Sequence, residues 1–140
     1  MIFLLAATLA LVGLPTWHDG DSGRLGGVRV RIDAIDAPEL KGSPKCDHPN
    51  PVWSCSPAAM RYGRQARDRL RALTIKGVEC RAEEEDQYDR SIVRCRLPDG
   101  RDPAAILVRE GLARPDLRYG GRRYLADEAA ARAARRGAWK

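Results

Sequence analysis

The sequence predicts one mixed α+β domain, and three observations carry that expectation. Residues 28–33 alternate strictly, with Val28, Val30 and Ile32 on one face and Arg29, Arg31 and Asp33 on the other, the pattern of a half-buried strand. Residues 78–97 read as two strands joined by a polar turn, a β-hairpin. Ser56-Pro57 and Asp102-Pro103 each pair a capping residue with proline at the first helical position, the start signal of an α-helix. At 140 residues, 44% hydrophobic and 31% charged, the chain has enough apolar material for one core, which excludes a disordered acidic tail or a collagen-like repeat.

Taken in order, residues 1–14 carry no charged side chain and form an apolar run shorter than the roughly 20 residues a spanning helix needs. They read as a leader, with residues 15–140 as the domain; the alternative is that residues 9–17 are the first buried strand. Residues 18–27 look like a turn. Pro38 forces Ala37 out of the helical region and opens a loop after the first strand. The first helix is expected from Ser56 to about Leu73, with Ala59, Met60, Gly63, Ala66, Leu70 and Leu73 on its inner face. The hairpin follows, at residues 78–82 and 91–97, and then the turn Pro98-Asp99-Gly100. A short helix starts at Pro103 and ends near Gly111. An Ala/Arg-rich helix is expected over residues 122–136, stopped by Gly137, with Trp139 packing back.

The four cysteines, Cys46, Cys55, Cys80 and Cys95, show no C-x-x-C spacing, so a zinc site is weakly supported. A four-residue turn over Asp86-Gln87-Tyr88-Asp89 pairs Glu85 with Arg90, and continuing that register sets Cys80 opposite Cys95. Cα atoms of a non-hydrogen-bonded antiparallel pair lie about 4.5 Å apart, within reach of a disulfide. Cys46 and Cys55 then close a Pro-rich polar loop. Two bridges imply an oxidising compartment and a secreted or periplasmic protein.

With 25 Lys and Arg against 19 Asp and Glu the net charge is +6, and all but four of the cations (Lys41, Lys45, Lys76, Lys140) are Arg. A basic surface of this kind favours a polyanion, and the planar guanidinium suits bidentate phosphate contacts. Acidic residues cluster near one strand end: Asp19 and Asp21 in His-Asp-Gly-Asp-Ser, then Asp36 and Glu39 in Ile-Asp-Ala-Pro-Glu. A hard cation takes oxygen ligands, and two carboxylates with a backbone carbonyl leave positions for water and phosphate. Arg31, with an arginine from the Tyr88-Asp89-Arg90 turn, would neutralise the charge that grows on a phosphodiester in its transition state. The chemistry is that of a phosphodiesterase. The Gly20-Asp21-Ser22-Gly23 string matches a serine-protease motif, but so short a chain cannot form two β-barrels and holds no triad in order.

In this order the stretches D-G-D-S, R-I-D-A-I-D-A-P-E, D-Q-Y-D-R, L-V-R-E-G-L-A and A-R-R-G-A-W resemble the staphylococcal nuclease-like (thermonuclease) family, over residues 17–139. The resemblance implies a five-stranded OB-fold barrel with about three α-helices. It also implies Ca²⁺, or Mg²⁺ in its place, bound by the carboxylates of Asp21 and Asp36 and the backbone carbonyl of Ala37, with Asp19 tuning the site or joining it. Glu39 would be the general base, and Arg31 and Arg90 would hold the phosphate and stabilise the pentacoordinate transition state. Tyr88 and Tyr119 would contact substrate. The implied activity is endonucleolytic cleavage of single-stranded or flexible DNA or RNA to 3′-phosphate ends by a monomer that needs no membrane.

The sequence departs from the family pattern in places. Ser22 and Ala37 stand where Thr is usual, Gln87 where Lys is, and Asp89 where the Y-G-R turn has Gly. The last places a carboxylate beside Arg90. Of the aromatic residues that stack the base, only Tyr88 and Tyr119 have counterparts, and this thinned set together with Asp89 supports a second reading, a non-catalytic OB-fold module that binds nucleic acid or protein.

Overall fold

The computed structural model describes residues 9–38, 40 and 56–140. Eight strands and three α-helices follow one another as β1 (Leu9–Gly13), β2 (Thr16–Trp17), β3 (Ser22–Leu25), β4 (Val28–Ile32), β5 (Ile35–Asp36), α1 (Pro57–Leu73), β6 (Val78–Glu85), β7 (Ser91–Arg96), α2 (Pro103–Arg109), β8 (Arg114–Pro115) and α3 (Leu125–Ala133). Six strands form one sheet in the order β1-β6-β7-β4-β3-β2, and β5 and β8 form a separate pair. All pairings are antiparallel except β4 with β7.

The two edge strands, β1 and β2, are consecutive in the chain and separated only by Leu14 and Pro15. Two residues reach about 7 Å, so the sheet must curl until its edges approach each other. Pro15 has no N–H to give a ladder, which is why the strand breaks there. Counted as one interrupted strand, β1 and β2 reduce the curled sheet to five strands, the number the sequence led us to expect. β1 also lies inside the segment read as a leader: Leu9 to Gly13 pair with Ala82 to Val78 of β6.

The strands and helices follow their local signals closely. In β4, Val30 and Ile32 are buried, as the alternation requires. Ser56 caps α1, its Oγ accepting the Ala59 N–H at 3.1 Å, and Ala59, Gly63, Ala66 and Leu70 form the buried face. Asp102 caps α2 by accepting the Ala104 N–H at 2.9 Å. Trp17, buried in the core, donates its indole N–H to Thr74 Oγ1 at 3.0 Å and so ties β2 to the end of α1.

Three expectations need correction. Residues 22–25, read as part of a turn, are strand β3, joined to β4 by the two-residue loop Gly26-Gly27 with both glycines at positive φ; this is the backbone of a type I′ hairpin. The last helix is shorter than residues 122–136. Residues 121–124 form a 3₁₀ turn, α3 spans only Leu125–Ala133, and the left-handed stop falls on Arg135 (φ 52°) rather than on Gly137. There the Arg136 N–H reaches back to the Ala131 carbonyl at 3.0 Å, closing the helix end.

The third correction concerns the hairpin. Glu85 pairs with Ser91 rather than Arg90, leaving five residues in the turn, and a bulge between Ala82 and Glu84 takes up the extra residue. The two shifts cancel, so Cys80 does lie opposite Cys95, and the two are joined by a disulfide with Cα atoms 4.0 Å apart. Cys46 and Cys55 lie outside the described residues, as does Glu39.

Candidate active site

Arg31 projects from β4 and is nearly buried. One guanidinium nitrogen donates to the Ile32 carbonyl at 2.6 Å, and another stands 3.7 Å from Asp21 Oδ2, a charge contact rather than a hydrogen bond. Burial alone would lower its pKa. The carboxylates of Asp21, Asp36, Asp19 and Asp116 outweigh this and hold the guanidinium protonated, above its ordinary value. Four acids thus act on one nearly buried arginine.

Asp21 is itself buried, and its Oδ2 accepts the Ala37 N–H at 2.9 Å, joining the turn before β3 to the strand end after β5. Burial pushes its carboxyl up to about 6, against the pull of Arg31 and with the help of the neighbouring Asp19 charge. The Asp19 carboxylate closes the turn: one of its oxygens accepts the N–H groups of Asp21 (3.0 Å) and Ser22 (2.7 Å) and the Ser22 hydroxyl (2.8 Å). Between the two acids only glycine fits. A Cβ on Gly20 would lie 2.7 Å from the β-carbons of both Ala37 and Ala66, so the turn packs directly on β5 and α1.

Asp36 lies opposite Arg114 in the β5–β8 pair, and its Oδ2 accepts from that guanidinium at 3.1 and 3.3 Å. Arg114 was not singled out in the sequence, because its partner is supplied by a two-residue strand with no periodicity to betray it. Among the described residues no three His, Cys, Asp or Glu side chains form a metal cluster. The donors nevertheless fit a hard cation in kind: Asp21 and Asp36 are carboxylates, both act on the same Arg31 guanidinium, and a hard cation takes oxygen ligands.

Arg31 also lines a cleft of about 510 Å³ that holds Arg90, Tyr88 and Tyr119, so four of the residues singled out in the sequence share one space. Tyr88 and Tyr119 are 59% and 64% exposed, which leaves their rings open to a ligand. Arg90 is oriented by its own turn. Asp86 Oδ1 accepts the N–H groups of Tyr88 (2.9 Å) and Arg90 (3.0 Å), while Oδ2 accepts Arg90 Nε at 2.7 Å. Slight burial raises the Asp86 carboxyl, but these bonds outweigh it and hold the group below its ordinary value.

The carboxylate that competes for Arg90 is thus Asp86, not Asp89. Asp89 instead takes the left-handed position of the turn (φ 58°), where glycine is usual. Arg29 of β4 fixes the hairpin tip by donating to the Tyr88 carbonyl at 2.8 Å.

A curled sheet built this way, with a polar cleft at the strand ends and helices packed behind, matches a known family over most of its length. Residues 29–140 match the model of the staphylococcal nuclease homologue domain. The chain belongs to that family. The match includes Arg31, Asp36, Arg90 and the whole cleft wall, and begins after Asp19 and Asp21. No curated protein matches the chain. Membership of this family suggests a nuclease, a hydrolase whose substrate is nucleic acid, and the family is typically Ca²⁺-dependent. No described helix is long and apolar enough to cross a membrane.

Proposed function

We propose that this staphylococcal nuclease homologue is a Ca²⁺-dependent phosphodiesterase that cuts single-stranded or flexible DNA and RNA, leaving 3′-phosphate ends. One observation carries the reading. Arg31 is shared by two groups of residues: the carboxylates of Asp21 and Asp36 act on it, and it lines a cleft that holds a second arginine and two exposed tyrosine rings.

Asp21, Asp36 and the Ala37 carbonyl hold the cation, with Asp19 shaping the turn that presents Asp21. When bound, the cation supplies Lewis-acid polarisation of the phosphoryl oxygen. Mg²⁺ is the alternative hard ion for the same oxygens. Glu39 takes the proton of the attacking water. Arg31 and Arg90 bind the phosphate and favour the more highly charged pentacoordinate state, since preorganised donors cost no reorganisation at the moment of reaction. Tyr88 and Tyr119 offer faces on which bases stack.

The disulfide in the hairpin fits an oxidising compartment, and hence a secreted or periplasmic protein. A leader cut before Leu9 would leave β1 in the sheet, whereas a cut after Leu14 would remove the strand that pairs β6.

The test is incubation of the purified protein with single-stranded DNA in Ca²⁺ or in chelator, beside Glu39→Gln. Cleavage that needs the metal and is lost in the variant, with binding retained, is the expected result. Binding with no metal-dependent cleavage would instead establish the non-catalytic module, a reading favoured by the engagement of Arg90 Nε with Asp86.

A further inference from the structure

The cleft contains the same small device twice, built on unrelated elements. In the hairpin turn, Asp86 caps backbone N–H groups and grips Arg90, whose guanidinium lies 5.5 Å from the centre of the Tyr88 ring. In the 3₁₀ turn Leu117–Tyr119, Asp116 accepts the Arg118 N–H at 3.1 Å and grips the Arg118 guanidinium through Nε (3.3 Å) and Nη2 (3.4 Å). Arg118 in turn lies 5.5 Å from the centre of the Tyr119 ring. Arg118, Asp116 and Tyr119 line the same cleft as Arg90, Asp86 and Tyr88.

The second device is anchored more firmly than a surface loop. Asp116 is buried, its N–H donates to the Ala34 carbonyl at 2.8 Å, and its own carbonyl accepts from Gly121 at 2.9 Å. Asp116 also acts on Arg31, which links the second device to that arginine. Arg118 stays 77% exposed with Nε and Nη2 turned to Asp116, and its Nη1 makes no hydrogen bond among the described residues. An oriented guanidinium with one edge facing solvent, lying over one face of a largely exposed tyrosine ring, suits a phosphate followed by an unpaired base that stacks on the other face.

We propose that Arg118, oriented by Asp116 and flanked by Tyr119, is a second phosphate-binding subsite, so that the cleft grips an unpaired strand over at least two consecutive nucleotides. This rests on the cleft being the nucleic-acid site, as proposed above. Duplex ends and paired bases are disfavoured because neither tyrosine face can stack on a base already in a helix.

The experiment is equilibrium binding of the full chain to labelled oligothymidylate of about 16 nucleotides, with chelator present, across a range of salt concentrations. Arg118→Gln is compared with wild type and with Arg122→Gln, which removes the same charge from an exposed position outside the cleft. The expected result is that Arg118→Gln alone lowers the slope of log Kd against log salt by about 0.7, the value of one single-strand phosphate contact. In Ca²⁺, the same variant should raise KM for the oligonucleotide, whereas Arg122→Gln should not. A slope for Arg118→Gln equal to that of wild type or of Arg122→Gln overturns the subsite while leaving the nuclease reading intact. Wild-type protein that fails to bind the oligonucleotide at any salt overturns both.

Discussion

The two ends of the site are held by different physics. Around Arg31 the side chains are nearly buried and their positions come from long-range pairing: β4 supplies the arginine, the turn before β3 supplies Asp21, and the β5–β8 pair sets Asp36 against Arg114. At the rim, Arg90 and Arg118 are each fixed by an aspartate two or four residues away, and the rings beside them are open. A substitution in the buried end therefore disturbs several elements together, whereas one at the rim disturbs a single turn. Buried charge is also weakly screened while exposed charge is strongly screened, so the salt-sensitive part of the affinity should come mainly from the exposed Arg118 and little from Arg31.

The sharpest test of this contrast is Arg31→Lys, which keeps the charge and removes the planar fork. It should lower kcat by about 10²–10³, the usual effect of losing one preorganised donor. A drop no larger than that of Arg118→Gln on the same substrate would erase the distinction between the two ends.

Next in size is the pair Cys80→Ala with Cys95→Ala. The bridge spans 15 residues at the base of the hairpin, and its loss should cost about 3 kcal/mol in denaturant unfolding. Because the rim turn carries its own bonds, oligonucleotide affinity per folded molecule should hardly change.

Gly20→Ala forces a methyl against Ala37 and Ala66 and should destabilise the fold by about 1–3 kcal/mol. It should also displace Asp21, visible as weaker Ca²⁺ binding in calorimetry. Unaltered metal affinity in that variant would mean that the turn does not position the carboxylate.

Asp86 gives a smaller, pH-dependent effect. Its carboxyl lies below the ordinary value in the folded protein, so the stability it contributes is present above about pH 4 and lost as pH falls through the lowered value. Asp86→Asn should flatten the acid limb of a stability-against-pH curve, and a curve superimposing on wild type would show that its bonds contribute nothing. The smallest effect expected is from Asp89→Gly, which relieves a left-handed non-glycine residue and should raise stability by at most about 1 kcal/mol.

The helices were legible in the sequence because their signals are local: Ser56-Pro57 and Asp102-Pro103 cap the helices they predicted. β4 was legible because its one buried face alternates. β3 was not, since four residues containing a glycine show no period, although Gly26-Gly27 beside Val28 is a hairpin signal that would have found it. The hairpin register came out right at the cysteines through two compensating shifts, a five-residue turn and a bulge, neither of which alternation can reveal.

What the sequence by itself determined is the set of groups available: the acids near one strand end, the arginines of β4 and the hairpin turn, and a cysteine pair within bonding reach. These follow from residue type and short-range spacing, where chemistry is written one position at a time. Only the tertiary structure decided how those groups are partnered. Asp36 meets Arg114 and Asp21 meets Ala37 across stretches of chain, and Arg118 joins Arg90 in one cleft. The reason is that a curled sheet brings its edges and strand ends together at distances set by closure, and closure is a property of the whole chain rather than of any segment.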